Sequence, residues 1–172
     1  MDKPWYAPRS PDEIVPYPWL HASAVEYLEG ILRPDWRVLE HGAGGSTLWF
    51  AERVAHVTTI EHDTQWRTRV RELAPDNVEV LARYFEAPFL VGACTHDLFL
   101  IDGDRDSRGH FIESAHLYVK PGGWIVLDNA NRPEYAKERA EMAKHAELKA
   151  RFDNNVPFSL YFVTEFWKCA SE

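Results

Sequence analysis

The chain has 172 residues, and 19 Lys+Arg against 27 Asp+Glu give it a formal charge of −8. Its 45% hydrophobic and 27% charged residues exclude fibrous and disordered classes and predict one domain over residues 1–172. No stretch reaches the ~18 consecutive apolar residues of a membrane span, and the acidic balance speaks against nucleic acid as a partner.

Met1 to Tyr6 lack the apolar core of a signal peptide, so a cytoplasmic location is expected, and two cysteines, Cys94 and Cys169, make no disulfide framework. Residues 1–19 form a proline-rich arm in which Pro4, Pro8, Pro11, Pro16 and Pro18 exclude a helix or a central strand. Trp5, Tyr6, Tyr17 and Trp19 give that arm an aromatic surface, which packs on the domain or over a ligand. Residues 20–32 read as a helix through Ala24, Leu28 and Ile31, ended by Pro34. An apolar run at 37–39 then meets the turn Gly42-Ala43-Gly44-Gly45, after which Ser46 and Thr47 are placed to cap a helix reaching about Arg53.

Val57 to Ile60 form a β-branched strand ending at Glu61, followed by a helix with Trp66, Val70 and Leu73 on one face. Residues 78–81 are a further strand, and Pro88 with Gly92 marks a loop. The apolar strand 98–101 ends in Asp102. Ile112, Ala115 and Val119 give a helix face, stopped by Pro121-Gly122-Gly123, and the buried strand 124–127 ends in Asp128-Asn129. Pro133 opens a helix through about Leu148, and the aromatic, β-branched tail at 159–168 is a strand. Apolar strands alternating with helices predict an α/β, doubly wound, Rossmann-like fold, with a parallel sheet covered by helices on both faces.

Ligands of such sheets bind at the carboxyl ends of the strands, near the reversal of strand order. Four strand ends here carry polar groups: residues 40–45, Glu61, Asp102, and Asp128-Asn129. The turn Glu40-His41-Gly42-Ala43-Gly44-Gly45-Ser46 lets the backbone approach a ligand closely, and helix N-terminal N–H groups favour its negative groups. Glu61 is placed to accept both hydroxyls of a ribose. A dinucleotide fingerprint requires a third glycine where Thr47 stands, and Glu40 would face a pyrophosphate. An acid there suits the ammonium of an amino-acid ligand, which S-adenosylmethionine carries together with a carboxylate and a ribose.

On these residues the chain resembles the class I S-adenosylmethionine-dependent methyltransferases, especially the small O-methyltransferase-like branch. The resemblance runs from about residue 38 to 168 and rests on V-L-E-H-G-A-G-G-S-T at 38–47, T-I-E-H-D at 59–63, D-L-F-L-I-D-G-D at 97–104 and P-G-G-W-I-V-L-D-N at 121–129. It implies a seven-stranded sheet with an antiparallel last strand. It also implies a cofactor site made of Glu40, His41, Gly42, Ala43, Gly44 and Ser46, with Glu61 and its neighbour His62 at the ribose, Tyr84 near the adenine, and Asp102 bordering cofactor and acceptor. In one group of these enzymes a divalent ion is held by residues matching Asp102, Asp128 and Asn129; oxygen ligands of that kind suit Mg²⁺, which would lower the pKa of a bound acceptor hydroxyl. Those members carry a lysine where this chain has Arg105, which cannot serve as a base.

His41 and His110 are the histidines nearest the inferred site, and His110 joins Asp102 as a candidate catalytic group. Neither H-E-x-x-H nor C-x-x-C occurs, so zinc is not expected. Trp49, Phe50, Trp66, Phe99 and Trp124 read as core, and Arg67, Arg69 and Arg71 as a solvated helix face. Arg105 and Arg108 read either as ligands of an acidic substrate group or as solvated loop residues. Asp102-Gly103-Asp104-Arg105 lacks the N/D-P-P-Y/F pattern of base methylation, which argues against adenine or cytosine as the methyl acceptor, and the resemblance to the O-methyltransferase-like branch implies an oxygen of a small molecule instead. Two alternatives stay open: a cofactor-binding protein of the same fold without methyl transfer, and a nicotinamide-dependent oxidoreductase.

Overall fold

Both sides of the central strands are apolar, and each side buries a different set of partners. Leu39, Ile60, Phe99, Ile101, Ile125 and Leu127 pack on one face with Phe111, Ile112 and Tyr118. Val38, Val57, Leu98, Leu100 and Val126 pack on the other with Leu20, Val25, Leu28, Trp49 and Phe50. This two-sided burial is what a helix-covered parallel sheet demands of its sequence.

The computed structural model describes residues 10–82, 93–153 and 163–171. Seven strands form one sheet: β1 (Arg37–His41), β2 (His56–Ile60), β3 (Val78–Leu81), β4 (His96–Ile101), β5 (Val119–Leu127), β6 (Ala146–Asp153) and β7 (Val163–Cys169). Their order is β3-β2-β1-β4-β5-β7-β6. β1 to β5 pair in parallel, and β7 runs antiparallel to β5 and β6. The expected antiparallel last strand is therefore present.

The described helices are α1 (Ala22–Ile31), α2 (Gly45–Ala51), α3 (Thr64–Leu73), α4 (Arg105–Ser114) and α5 (Ala136–Met142). No helix among the described residues is long and apolar enough to cross a membrane. Two acids set the helices that border the sheet's working edge. Asp63 accepts from the N–H groups of Gln65 and Trp66 to cap α3, and Asp104 accepts from those of Asp106 and Ser107 to cap α4. Caps of this kind contribute about 1 kcal/mol each.

The chain departs from its sequence pattern in three places. The stretch from Pro133 is not one helix to Leu148; a short 3-10 turn, Pro133–Tyr135, and α5 are followed by β6. Residues 146–153 are rich in helix formers, but pairing with β7 from Ala146↔Cys169 to Asp153↔Val163 overrides that propensity. Phe152 thereby reaches Tyr27 and Phe166, at ring-centroid distances of 5.6 and 5.7 Å. Val119 opens β5 instead of closing a helix, and the Pro121-Gly122-Gly123 segment is absorbed where the β4–β5 register shifts between His96 and Leu98. Gly44, not Ser46 or Thr47, occupies the N-cap of α2.

Candidate functional site

The strand order reverses between β1 and β4, with β2 on one side and β5 on the other. A cavity of about 320 Å³ opens there, lined by residues from the ends of β1, β2 and β4 and from the N-terminal arm. That size falls in the range of small-molecule sites. Of the residues expected to hold a cofactor, Gly42, Ala43, Gly44, Ser46, Glu61, His62 and Asp102 line it. Val15, Tyr17, Trp19 and Trp66 line it too, so the arm forms part of the cavity wall, and Trp66 belongs to that wall and not to the core. Residues 1–9 of the arm lie outside the described residues.

Glycine is required at specific points of the turn. Gly42 has φ +98°, and a Cβ there would stand 2.6 Å from the Cα of Gly103. A Cβ on Gly45 would stand 2.1 Å from the carbonyl oxygen of Val15, because the arm lies directly on the turn. At Gly44 the situation differs: nothing lies within 4 Å of a Cβ position, so this residue borders open space.

Glu61 ties the turn to the end of β2. Its Oε2 accepts from the N–H of Ala43 at 3.0 Å and its Oε1 from that of Asp63 at 2.7 Å. Arg67, in turn, donates to the carbonyl oxygens of Glu61 and His62, both at 3.1 Å, and Arg71 to that of Val80 at 2.6 Å. Two of the three arginines read as a solvated face thus hold backbone, Arg67 at the cavity and Arg71 at β3.

Glu40 and His41 are part of β1 and lie behind the turn, not in the cavity. Glu40 is fully buried and accepts hydrogen bonds from the hydroxyls of Ser46 and Thr47. Burial raises its pKa to about 7, against the opposing pull of these hydroxyls and of Thr59. Its carboxylate is therefore engaged in anchoring α2, which corrects its expected role at an ammonium. His41 packs against Phe111, with ring centroids 4.5 Å apart, and its Nε2 lies 2.9 Å from Ser107 Oγ and 3.4 Å from Asp104 Oδ2. Burial lowers its pKa, so it stands as a neutral bridge from β1 to α4.

The trio expected to hold Mg²⁺ does converge, but around a protein cation. Asp128 and Asn129 are buried and do not line the cavity, and Asp128 accepts from Thr164 Oγ1 at 2.8 Å and from Asn129 Nδ2 at 2.7 Å. The guanidinium of Arg108, itself buried, bonds Asn129 Oδ1 at 3.1 Å and Asp102 Oδ1 at 3.3 Å. These donors are spoken for, and among the described residues no three His, Cys, Asp or Glu side chains converge as a metal site. The residues present do not fit a divalent ion.

Asp102 remains at the cavity wall, its side chain 26% exposed. Burial raises its pKa, opposed by the charge of Arg108. His110 is exposed on α4 and stacks edge-on against Phe111, away from the cavity lining, which corrects its expected place beside Asp102. Arg105 is exposed and pairs with Glu134 at 2.6 Å. Tyr84 lies outside the described residues.

A seven-stranded sheet with β7 antiparallel between β5 and β6, and a cavity above a glycine turn at the β1–β4 reversal, define the class I fold of S-adenosylmethionine-dependent methyltransferases. Residues 39–130 match the methyltransferase domain family, and the chain belongs to that family. Solved structures of this fold include the tRNA methyltransferase TrmI of Aquifex aeolicus, with 16% identity, 87% of this chain and 68% of that one covered, and a TM-score of 0.64. The 1,6-didemethyltoxoflavin-N1-methyltransferase of Burkholderia thailandensis, solved with S-adenosylhomocysteine, has 18% identity, coverage of 87% and 77%, and a TM-score of 0.59. The [4+2]-cyclase SpnF has 11% identity, coverage of 87% and 81%, and a TM-score of 0.67. At these identities the likeness is one of fold alone. No curated protein matches the sequence.

Proposed function

We propose that the chain is a cytoplasmic methyltransferase that uses S-adenosylmethionine to methylate an oxygen of a small molecule, residues 1–172 acting as one domain. The observation that carries this reading is the meeting of Gly44, Glu61, Asp102 and the arm's Tyr17 and Trp19 in one cavity at the β1–β4 reversal. Gly44 leaves room where any other residue would place a Cβ. Glu61 accepts a backbone N–H on each carboxylate oxygen and lies 3.0 Å from His62 Nδ1 through Oε1, so of the about four acceptor positions of a carboxylate one, on Oε2, is left for a ribose hydroxyl. Tyr17, Trp19 and Trp66 present aromatic surface to a cation or an adenine ring.

Bound there, the cofactor supplies a methyl carbon already activated by its sulfonium. The chain's own contribution is alignment of the acceptor and removal of its proton. Asp102 is the group placed for the second task, since it borders the cavity and burial makes it a stronger base than an exposed aspartate. An oxygen acceptor agrees with the absence of the base-methylation pattern at residues 102–105. A small acceptor agrees with a cavity ringed by Glu61, Asp63, Asp102 and Asp104, which repel a phosphate backbone.

The test is S-adenosylhomocysteine formation with hydroxylated aromatics, with amines and with tRNA. Product with hydroxyl acceptors supports the reading; product with amines or tRNA alone replaces the acceptor class. Product with none favours the second reading, a cofactor-binding protein without methyl transfer. The exposed, Glu134-paired Arg105 and the outward His110 favour it, since neither supplies a base to the cavity.

A further inference from the structure

We propose that Arg108 is a built-in cation occupying the place of a divalent metal at the ends of β4 and β5, so that the site works without metal. Its guanidinium is 3% exposed, and all five of its N–H donors are used. Nε donates to Gly103 O at 3.1 Å; Nη2 donates to the same oxygen at 2.5 Å and to Asp102 Oδ1 at 3.3 Å. Nη1 donates to Asp128 O at 3.0 Å and to Asn129 Oδ1 at 3.1 Å.

Every partner is an oxygen, two of them from the side chains that a hard divalent ion would need. Asn129 contributes from a left-handed backbone, φ 52°, which asparagine tolerates better than most residues. The local chain explains how the arginine gets there. Arg108 stands one turn into α4, four residues after the Asp104 cap, and helical side chains lean toward the helix N-terminus. From that position it spans the loop after β4 to the loop after β5. An arginine is charged at every physiological pH and cannot dissociate, so the strand-end carboxylate Asp102 has a permanent counter-charge. A second cation would have to displace it from a fully hydrogen-bonded, buried site.

The inference rests on the methyl-transfer reading only for its relevance to the reaction; it is tested without cofactor or acceptor. Mn²⁺ is titrated into the full chain and followed by the paramagnetic resonance signal of the free ion. The wild type is expected to bind none. Arg108→Ala, which leaves the Asp102, Asp128 and Asn129 oxygens around the vacated space, is expected to bind one equivalent and to gain on the order of 5 °C in Tm when Mn²⁺ is saturating. Asp102→Asn added to Arg108→Ala, which removes the charge of the carboxylate facing the vacated space, is expected to abolish both effects. One equivalent bound by the wild type and lost in Asp102→Asn overturns the proposal, as does a folded Arg108→Ala that binds none. Should Arg108→Ala fail to fold with or without Mn²⁺, the wild-type titration decides alone. Failure of S-adenosylhomocysteine to bind would overturn the transfer reading and leave this result standing.

Discussion

Gly42 and Gly103 face each other across β1 and β4, with a Cβ on Gly42 placed only 2.6 Å from the Cα of Gly103. A Cβ on Gly103 would in turn stand 2.5 Å from the ring of His41. The loops after the two central strands therefore lie closer than any side chain permits, and the floor of the cavity is formed by backbone.

This contact separates two kinds of glycine in one turn. Gly42→Ala introduces a side chain at φ +98° and against backbone, so a loss of at least about 2 kcal/mol in unfolding free energy is expected in denaturant titration. Gly44→Ala meets nothing within 4 Å and has an extended φ of 177° that alanine adopts freely. Its stability should stay within about 0.5 kcal/mol of wild type while S-adenosylhomocysteine binds at least about tenfold more weakly. Equal affinity in Gly44→Ala would remove the turn from the ligand site.

Glu61 should show both effects at once. Glu61→Ala strips the acceptors of the Ala43 and Asp63 N–H groups and is expected to cost about 1–3 kcal/mol in thermal unfolding. Glu61→Gln keeps a carbonyl acceptor and should unfold closer to wild type. Both variants should lose about tenfold or more in cofactor affinity by calorimetry. Wild-type affinity in Glu61→Gln would dissociate this carboxylate from the ribose.

Two buried groups give stability opposite dependences on pH. Glu40 titrates at about 7 in the fold against 4.5 in its ordinary state, so between those values the folded chain holds a proton that the unfolded chain has released. Stability from this group is present below pH 4.5 and is lost as pH rises through 7, by roughly 3 kcal/mol. His96 has the reverse sign: burial lowers it from 6.5 to about 4, so stability is present above pH 6.5 and is lost as pH falls toward 4. Relative to wild type, Glu40→Gln should therefore gain stability as pH rises from 4.5 to 7, and His96→Gln should lose it as pH rises from 4 to 6.5. Chemical denaturation at a series of pH values reads both slopes; parallel curves for variant and wild type would contradict the burial of the group concerned.

The sheet and the cavity were legible because polar residues stand where apolar strands end. Gly42, Gly44, Glu61 and Asp102 are visible in this way, and the structure lines one cavity with all four. Glu40 misleads by one detail of register. The apolar run stops at Leu39, but β1 continues to His41, which turns Glu40 beneath α2 and His41 toward Phe111. β6 was hidden by helix-forming residues, since an edge strand is specified by its partner more than by its own composition. Arg108 shows what spacing cannot display. Its sequence position fits a solvated loop as well as a buried one, and its signal, a cation one turn inside a helix that follows an acid-ended strand, acquires meaning only with the ends of β4 and β5 side by side.

The most direct measurement is a calorimetric titration of the full chain with S-adenosylhomocysteine, run in chelator and again in excess Mg²⁺. A cofactor seated on Gly44 and Glu61, beside a site already filled by Arg108, should give one equivalent bound with the same affinity in both buffers. Absence of binding in both would contradict the methyltransferase reading, and binding that required Mg²⁺ would contradict the place assigned to Arg108.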